Sequence, residues 1–524
     1  MKRRHGIRRG LALTIAIGLA GSVAAAPVAA SAGRTGQVEW GACPAPIAAA
    51  APTVQCGNVT VPLNYRDPDG TQIDLMVSRI PSTNPQKRRG VLLLNPGGPG
   101  GSALTMPHDL INLGIPASVT DAYDLIGMDV RGVGYSSPVD CGFTDDQGYP
   151  GNVPPWAEDD AAVVEQAAAA RAVAEQCAAN DTGGRMTHIS TANTARDLDR
   201  IRVALGERKA SFFGLSYGSA LGAAYASMFP DTTDRVIIDS NTGDTALTRA
   251  GMRRFGLGFE QAFPGFARWA AARHSSYGLG RTPAQIRATY FALAERLDDQ
   301  PLPSFDGRAF RLNTFVSLYN ESSYPLLART WQEVKNSGAA TTTAPQPAAA
   351  PSPYSNFYSA FLAVNCNDSD WPSNVRAYRR SVAEDREKYP MFGAASANIN
   401  PCAFWSLGPS EPQVAVNDDG PANILVMQNR RDAATPLRGG QIIRAKFAHR
   451  SRLVTVDENQ HGVYVYDDNP CAFNIGTAWL VDGVLPPDTN CAASTRSGLN
   501  LDREGEQRRA DTLRKRPPGM VTVN

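Results

Sequence analysis

The sequence predicts an α/β protein: a mostly parallel sheet flanked by helices, with an inserted helical cap. Between residues 90 and 240, continuous apolar segments alternate with segments that carry apolar residues at helical spacing. This alternation is typical of a parallel sheet that helices cover on both faces. From about 242 to 331 the pattern becomes helical throughout, and strand-like segments return only at 422–436 and 451–462. A long helical insertion between strands predicts a cap over one edge of the sheet.

The first 32 residues predict a secretory signal peptide. Basic residues precede an apolar stretch at 11–30, and small residues surround Ala30 and Ala32. A charged start, an apolar core and a small-residue cleavage site are the parts of such a signal. A membrane anchor is the alternative, but the apolar core is short and fades into Ala, Gly and Pro. We therefore expect a secreted, extracellular protein, with a possible pro-segment at 33–39.

The eight cysteines predict disulfides. Their number is even, and no C-x-x-C pair suggests a zinc site. Nearest neighbours along the chain close short loops easily, which favours their pairing. The predicted pairs are Cys43–Cys56, Cys141–Cys177, Cys366–Cys402 and Cys471–Cys491. Buried free thiols are the alternative for some of them.

The core begins with a predicted strand pair, VTVPLNY and QIDLMVSRI, joined by the turn DPDG. The strand-like segments RRGVLLL, YDLIGMDV, KASFFGL and RVIID follow, and NTARDLDRIRVALG and 219–229 predict helices. The predicted division of the chain is signal peptide 1–32, possible pro-segment 33–39, catalytic core 40–241, helical cap 242–353 with a low-complexity loop at 338–353, catalytic core 354–495 and a polar tail 496–524.

Ser216 is the candidate nucleophile. It lies in GLSYG (214–218), where an apolar strand gives way to an alanine-rich helix. Glycines at 214 and 218 permit the strained turn that exposes a nucleophilic serine, whereas a chance G-x-S-x-G in a loop is the alternative. The predicted oxyanion donors are the backbone N–H of Tyr217 at the helix start and that of Gly98 in the loop NPGGPGG. A neighbour of Gly98 is the alternative in that loop.

Asp432 and His461 are the candidate acid and base. Each directly follows a predicted strand late in the chain, and the order Ser, Asp, His places all three at the same sheet edge. Asp432 would orient His461, which takes the proton of the serine. A turn aspartate is the alternative for Asp432, with Asp457 and Asp467 as rivals, and a surface or structural role is the alternative for His461.

Five motifs together resemble a known family. They are NPGGPGGS (95–102), DVRGVGYSS (129–137), GLSYG (214–218), RRDAATP and QHG. They are similar to those of secreted actinobacterial tripeptidyl aminopeptidases, relatives of prolyl aminopeptidase with the α/β-hydrolase fold. The resemblance implies Ser216, Asp432 and His461 as the triad, a helical cap, and release of short peptides from free N-termini. Asn95 and Pro96 stand where prolyl aminopeptidases usually carry His, which favours the tripeptidyl branch.

An enzyme that acts on free N-termini needs a carboxylate to pair with the substrate ammonium. A tripeptide places that ammonium roughly 10 Å from the attacked carbonyl. The candidates are Glu321 in LYNESSYP and Asp368 or Asp370 in NCNDSDWP. A solvated surface acid or a turn residue is the alternative for each. Tyr324 and Trp371 could line an apolar subsite, although core packing is the commoner role of aromatic residues.

The balanced charge narrows the possible partners. With 51 basic and 50 acidic residues the formal net charge is +1, which suggests neither a nucleic-acid footprint nor a polybasic membrane surface. We expect peptide or protein substrates and no metal or organic cofactor. The competing hypotheses are a prolyl aminopeptidase-like or esterase-type serine hydrolase and a catalytically inactive binding protein.

Overall fold

A sheet of nine strands forms the centre of the described chain. The computed structural model describes residues 38–144, 147, 153–303, 305–337, 352, 354–494, 499 and 501–514. The strands are β1 Gln55–Pro62, β2 Gln72–Ile80, β3 Gly90–Asn95, β4 Tyr123–Met128, β5 Ala210–Leu215, β6 Thr233–Asp239, β7 Ile424–Asn429, β8 Ser451–Val456 and β9 Thr489–Cys491. Their spatial order is β1-β2-β4-β3-β5-β6-β7-β8-β9.

The sheet is mostly parallel, as the sequence predicts. Only the pairings of β1 with β2 and of β2 with β4 are antiparallel. The remaining neighbours, from β4 through β3 and on to β9, run parallel. The carboxyl ends of β3, β5, β6, β7 and β8 therefore meet at one edge, where parallel sheets bind ligands.

Helices bury the sheet on both faces. Strands β3, β4, β5 and β7 are buried along their whole length. Phe212 packs in one apolar cluster with Leu93 and Ile238, while Phe213 packs in a second cluster on the other face with Leu92. Successive residues of a strand point to opposite faces, so a strand buried on both faces is apolar throughout. This explains why the strands could be recognised as unbroken apolar segments.

The described helices surround the sheet and fill the segment between β6 and β7. They are α1 Ala45–Ala50, α2 Met106–Asn112, α3 Ala117–Ala122, α4 Asp160–Asn180, α5 Thr191–Ala204, α6 Tyr217–Met228, α7 Arg249–Ala271, α8 His274–Tyr277, α9 Pro283–Asp299, α10 Gly307–Ser317, α11 Tyr324–Asn336, α12 Ser355–Asp368, α13 Val375–Lys388, α14 Gly393–Ser396, α15 Leu437–Lys446, α16 Pro470–Asp482 and α17 Arg503–Arg514. Short 3-10 helices lie at Met186–His188, Glu321–Ser323 and Pro401–Phe404.

The helical insertion is longer than the sequence indicated. Helices α7 to α11 occupy the predicted cap, but α12, α13 and α14 follow beyond its predicted end at residue 353, and the sheet resumes only with β7. Every residue of α12 except Asn356 is buried. A helix that is buried all round has no polar face, so its sequence lacks the alternation that reveals a surface helix.

All eight cysteines form disulfides, and the nearest-neighbour pairing is confirmed. The pairs are Cys43–Cys56, Cys141–Cys177, Cys366–Cys402 and Cys471–Cys491. In the described ranges, no helix combines the length and the apolar character that a bilayer span requires. The predicted signal peptide, most of the pro-segment and nearly all of the loop at 338–353 lie outside the described residues.

Candidate active site

Ser216 lies on a sharp turn between β5 and α6. Its backbone has φ 60° and ψ −123°, a conformation that L-residues rarely adopt. A Cβ at Gly214 would come within 2.2 Å of the Gly218 carbonyl oxygen, and one at Gly218 within 2.6 Å of the Asn95 carbonyl oxygen. The turn therefore requires glycine at both positions. The Ser216 N–H donates to the carbonyl oxygen of Asp239, at 3.0 Å.

His461 contacts the carboxylate of Asp432 beyond the ends of β8 and β7. Its Nδ1 lies 2.9 and 3.0 Å from the two carboxylate oxygens. Asp432 is fully buried and also accepts from the N–H groups of Ala434 and Thr435 and from the Thr435 hydroxyl, at 2.8–2.9 Å. These donors fix the carboxylate. With Nδ1 facing it, the neutral imidazole carries its hydrogen there and keeps Nε2 as the free base.

The surroundings of His461 favour its protonated form. Burial by itself lowers the pKa, but the charge and hydrogen bond of Asp432, together with the charge of Asp239, outweigh this effect. The result is a pKa above the usual value of about 6.5. A base tuned upward in this way removes a proton from a hydroxyl more readily, provided that the pH leaves it neutral.

The rival aspartates face other partners. Asp457 pairs with Arg431 at 2.5 Å. Asp467 accepts from the N–H of Asn469 at 3.2 Å. Of Asp432, Asp457 and Asp467, Asp432 is thus the aspartate whose carboxylate contacts the His461 imidazole.

Asp239, at the end of β6, links the serine turn to the histidine loop. Its carbonyl oxygen accepts the Ser216 N–H, while its carboxylate accepts the N–H groups of Val463 and Tyr464 at 2.7–3.1 Å. Burial raises the pKa of its carboxyl to about 7, against the lowering effect of these donors. Sequence reasoning treated this residue only as the end of a strand. The sequence signal that could have revealed its role is an acidic residue at the end of an otherwise apolar strand segment.

The glycine-rich loop at 95–101, NPGGPGG, lies against the serine turn, which is the turn at 214–218 that carries Ser216. A Cβ at Gly97 would come within 2.9 Å of the Tyr217 nitrogen and 3.0 Å of Ser216 Cβ. The Gly97 N–H is used by the side-chain oxygen of Asn95, at 2.9 Å. In the part of the chain that the structure describes, the N–H groups of Gly98 and Tyr217 donate to no protein acceptor. These two predicted donors are therefore free to bind an oxyanion, whereas Gly97 is not.

Glu321 lies on the segment that packs against the loop of His461. The Tyr319 carbonyl oxygen accepts the backbone N–H of His461 at 2.8 Å, and the two rings have centroids 5.0 Å apart. Two residues on, Glu321 is exposed and its carboxylate accepts from the side chain of Asn459 at 3.1 Å. The structure thus places this carboxylate on the segment that contacts the His461 loop and leaves it exposed.

Asp368 does not fit the predicted role of amine ligand. It is 5 % exposed, and both of its oxygens accept hydrogen bonds from Thr191. Burial raises the pKa of this carboxyl to about 7, although the Thr191 bonds oppose the shift. The carboxylate is thus held by Thr191 in the core rather than presented to a substrate ammonium. Of the aromatic candidates, Tyr324 is fully buried in the core and Trp371 donates its indole N–H to the Asn365 carbonyl oxygen.

The arrangement suits nucleophilic acyl transfer. It combines a serine on a strained turn, an imidazole paired with a buried carboxylate, and unused N–H groups on the residue after the serine and in the loop that packs on its turn. Within the described segments, no three His, Cys, Asp or Glu side chains are grouped so that they could hold a metal ion.

Comparison with known proteins shows consistent similarity to hydrolases. The sequence profile of a family described as "TAP-like protein" matches residues 389–491. The tripeptidyl aminopeptidase of Streptomyces coelicolor is 35% identical over 485 residues, which cover 89% of this chain and 88% of that protein. The serine protease Hip1 of Mycobacterium tuberculosis is 29% identical and aligns with 82% of this chain and 86% of its own length.

A further relative and a solved structure complete the comparison. A protein named carboxylesterase B from M. tuberculosis is 30% identical over 90% of this chain and 92% of its own length. Among solved structures, proline iminopeptidase from Mycobacterium smegmatis matches 81% of this chain and 98% of its own, with 15% identity and a TM-score of 0.35.

Proposed function

The chain belongs to the family of the Streptomyces tripeptidyl aminopeptidases, which are α/β hydrolases, and on that premise we propose that it is a secreted serine exopeptidase. It releases tripeptides from peptides or proteins with a free amino terminus. The observation that carries the proposal is the contact of His461 with the buried Asp432 at the sheet edge that also holds the strained Ser216.

The reaction proceeds through an acyl-enzyme. His461 takes the hydroxyl proton of Ser216 as its oxygen attacks the third carbonyl of the substrate, and Asp432 stabilises the imidazolium. Gly98 and Tyr217 donate their N–H groups to the oxyanion. His461 then protonates the leaving amine, which departs as the shortened peptide. Water, deprotonated by the same imidazole, attacks the ester, and the imidazolium returns its proton to the Ser216 oxygen as that oxygen leaves and the tripeptide is released.

Glu321 is the proposed partner of the substrate ammonium. It is exposed on a segment that contacts His461 directly, so it can face a bound tripeptide. Burial and the charge of Glu321 raise the pKa of the Glu458 carboxyl, while the charge of Arg431 opposes this shift, so Glu458 and Glu321 lie close enough to repel each other. An ammonium placed near both acids relieves their repulsion. A blocked N-terminus offers no such charge and binds less well.

The disulfides support export. All eight cysteines are paired in the structure, and such pairs persist in oxidising compartments. The test is to fractionate a producing culture and sequence the N-terminus of the extracellular protein. A mature chain that begins shortly after residue 32 is expected, whereas retention of the full chain in the cell would contradict secretion.

The decisive assay compares three substrates: a tripeptide 4-nitroanilide, its N-acetylated form and a short-chain 4-nitrophenyl ester. We expect cleavage of the free peptide, poor cleavage of the acetylated one, and loss of all activity in Ser216→Ala. Glu321→Gln should raise KM for the free peptide and leave KM for the acetylated peptide unchanged. Glu333→Gln, an exposed acid on α11, is the matched control. Equal cleavage of free and acetylated peptides would exclude an exopeptidase.

An esterase is the second candidate function. It is favoured by the relative named carboxylesterase B, which aligns over most of both chains. The same triad and oxyanion donors serve ester hydrolysis. Activity on the ester alone, in the three-substrate comparison, would select this function.

A further inference from the structure

The inserted helix α12 packs on the glycine-rich loop at its start and reaches Tyr217 through Thr191 at its end. We propose that α12 holds these donors in place, and that Thr191 and Asp368 are positioning residues for Tyr217 in the acyl-transfer step. The proposal rests on the proposed function, because it concerns the same serine.

The start of α12 packs on the glycine-rich loop. A Cβ at Gly100 would come within 2.7 Å of the Phe357 carbonyl oxygen, and one at Gly98 within 3.3 Å of the Phe357 ring. Asn356, one residue earlier, accepts the N–H of Gly134 and donates to the Gly132 carbonyl oxygen, both at 2.8 Å. Through Phe357 the helix therefore confines the loop that carries the Gly98 N–H, and through Asn356 it holds the neighbouring loop at 129–137.

The end of α12 reaches Tyr217 through a buried chain of hydrogen bonds. The two carboxylate oxygens of Asp368 accept the backbone N–H of Thr191 at 2.8 Å and its hydroxyl at 2.5 Å. The Thr191 oxygen lies 2.5 Å from the Tyr217 hydroxyl. A threonine hydroxyl has one hydrogen, which goes to the carboxylate here, so the Tyr217 phenol is the donor to Thr191.

These hydrogen bonds fix Tyr217, the residue that follows Ser216. Tyr217 is 2 % exposed and is the first residue of α6. A shift of its packed ring therefore also shifts its backbone N–H. Hydrogen bonds to the ionised Asp368 carboxylate, the form that predominates above its pKa of about 7, are stronger than those between neutral groups. An oxyanion donor is effective when it is already aimed at the developing charge. The side chain of Tyr217 is thus held so that its N–H keeps that aim.

The end of α12 is itself anchored. The disulfide Cys366–Cys402 joins it to the 3-10 helix at Pro401–Phe404. The Asn367 side chain donates to the carbonyl oxygens of Met186 and Ile189 at 2.6 and 3.0 Å. The carboxylate at the next position is therefore presented from a fixed support rather than from a free chain end.

The expected signature is a loss of transition-state binding without a loss of substrate binding. Removing a complete oxyanion donor costs about 10²–10³ in kcat. Thr191→Val and Tyr217→Phe displace a donor without deleting it, so we expect kcat to fall about tenfold and KM to change less than twofold. Thr191→Ser keeps the hydroxyl and should restore kcat to within about twofold. Thr314→Val, which removes a buried hydroxyl in α10, is the matched control.

The experiment measures these constants together with the inhibition constants of two ligands. A tripeptide boronic acid, which forms a tetrahedral adduct on the serine, should bind about tenfold more weakly to Thr191→Val. The tripeptide product should bind as it does to the unmodified chain. Equal weakening of both ligands, or an unchanged kcat in Tyr217→Phe, would overturn the proposal. Tyr217→Phe keeps the test available if Thr191→Val fails to fold.

Failure of the proposed function gives a different result. If the unmodified chain hydrolyses only the ester, the exopeptidase proposal fails, and the same variants are then compared on that ester. A tenfold loss of kcat with an unchanged KM on the ester still supports the role of α12. Wild-type ester kinetics in both Thr191→Val and Tyr217→Phe refute it.

Discussion

The strained backbone of Ser216 predicts that glycine stabilises this position more than alanine does. At φ 60° and ψ −123°, any residue with a Cβ is strained, whereas glycine is not. Ser216→Gly and Ser216→Ala both remove the hydroxyl. The difference between the two variants therefore isolates the backbone conformation.

The magnitude follows from two opposing terms. Strain at such a position costs about 1–3 kcal/mol, which glycine relieves. Glycine also gives the unfolded chain more freedom, which costs about 0.4–1 kcal/mol. The glycine variant should therefore be more stable than the alanine variant by about 1 kcal/mol. Three residues on, Ser219 lies within α6, where alanine should be the more stable by about 0.5–1 kcal/mol.

Reversible urea unfolding of the four variants, with the disulfides intact, measures the free energies of unfolding. The order should be glycine above alanine at 216 and alanine above glycine at 219. If alanine is the more stable residue at both positions, the turn stores no strain and the reasoning is refuted. The activity of both Ser216 variants should be zero under the proposed mechanism.

Three other measurements test the site and the core. Because the pKa of His461 is raised, the acidic limb of the pH profile of kcat/KM should have its midpoint above about pH 6.5. Asp432→Asn should lower that midpoint and reduce kcat roughly 10⁴-fold. An unchanged midpoint in this variant would contradict the pairing of Asp432 with His461. The Arg131–Asp197 ion pair is fully buried, so Arg131→Met should lower the free energy of unfolding by about 3–5 kcal/mol. Adding Asp197→Leu should recover only part of this loss, because the Tyr65 hydroxyl and the carbonyl oxygens of Pro62 and Leu63, which also bond to the pair, stay unpaired. A loss below about 1 kcal/mol in Arg131→Met would contradict the prediction. The folded pKa of Asp239 is raised, so the folded chain binds its proton more tightly and stability should fall as pH rises from about 4 to about 7. Asp239→Asn should remove up to about 1.4 kcal/mol per pH unit from that slope, and an identical slope in the variant would refute the effect.

Local patterns predicted the sheet and the serine turn well. The segment KASFFGLS carries its own information, since an unbroken apolar strand runs into glycines and then into an alanine-rich helix. Both faces of β5 are buried and the turn follows at once, so no distant residue is needed to recognise it. The disulfide pairs were predictable because each joins cysteines that are nearest neighbours along the chain, 13 to 36 residues apart.

Contacts between distant segments were not predictable. Asp368 sits in NCNDSDWP, which reads as a polar loop, yet α12 carries it into the core against Thr191. Asp239 joins the serine turn to the loop after β8, and nothing near it in sequence names those partners. Helix α4, which is capped by Asp159 and rich in alanine, was also not predicted. Its many alanines make the buried and exposed faces similar in hydrophobicity, so the helical period is weak.

Strands β6 and β7 are neighbours in space although the entire helical insertion separates them in sequence. Such a junction allows evolution to replace the insertion without rebuilding the sheet. The contact of α12 with the glycine-rich loop restricts that freedom. A chimaera that exchanges the insertion between relatives should keep its catalytic rate only when the exchanged piece and the receiving sheet still match at this helix. Substrate choice and catalytic power would then be inherited together rather than as separable modules.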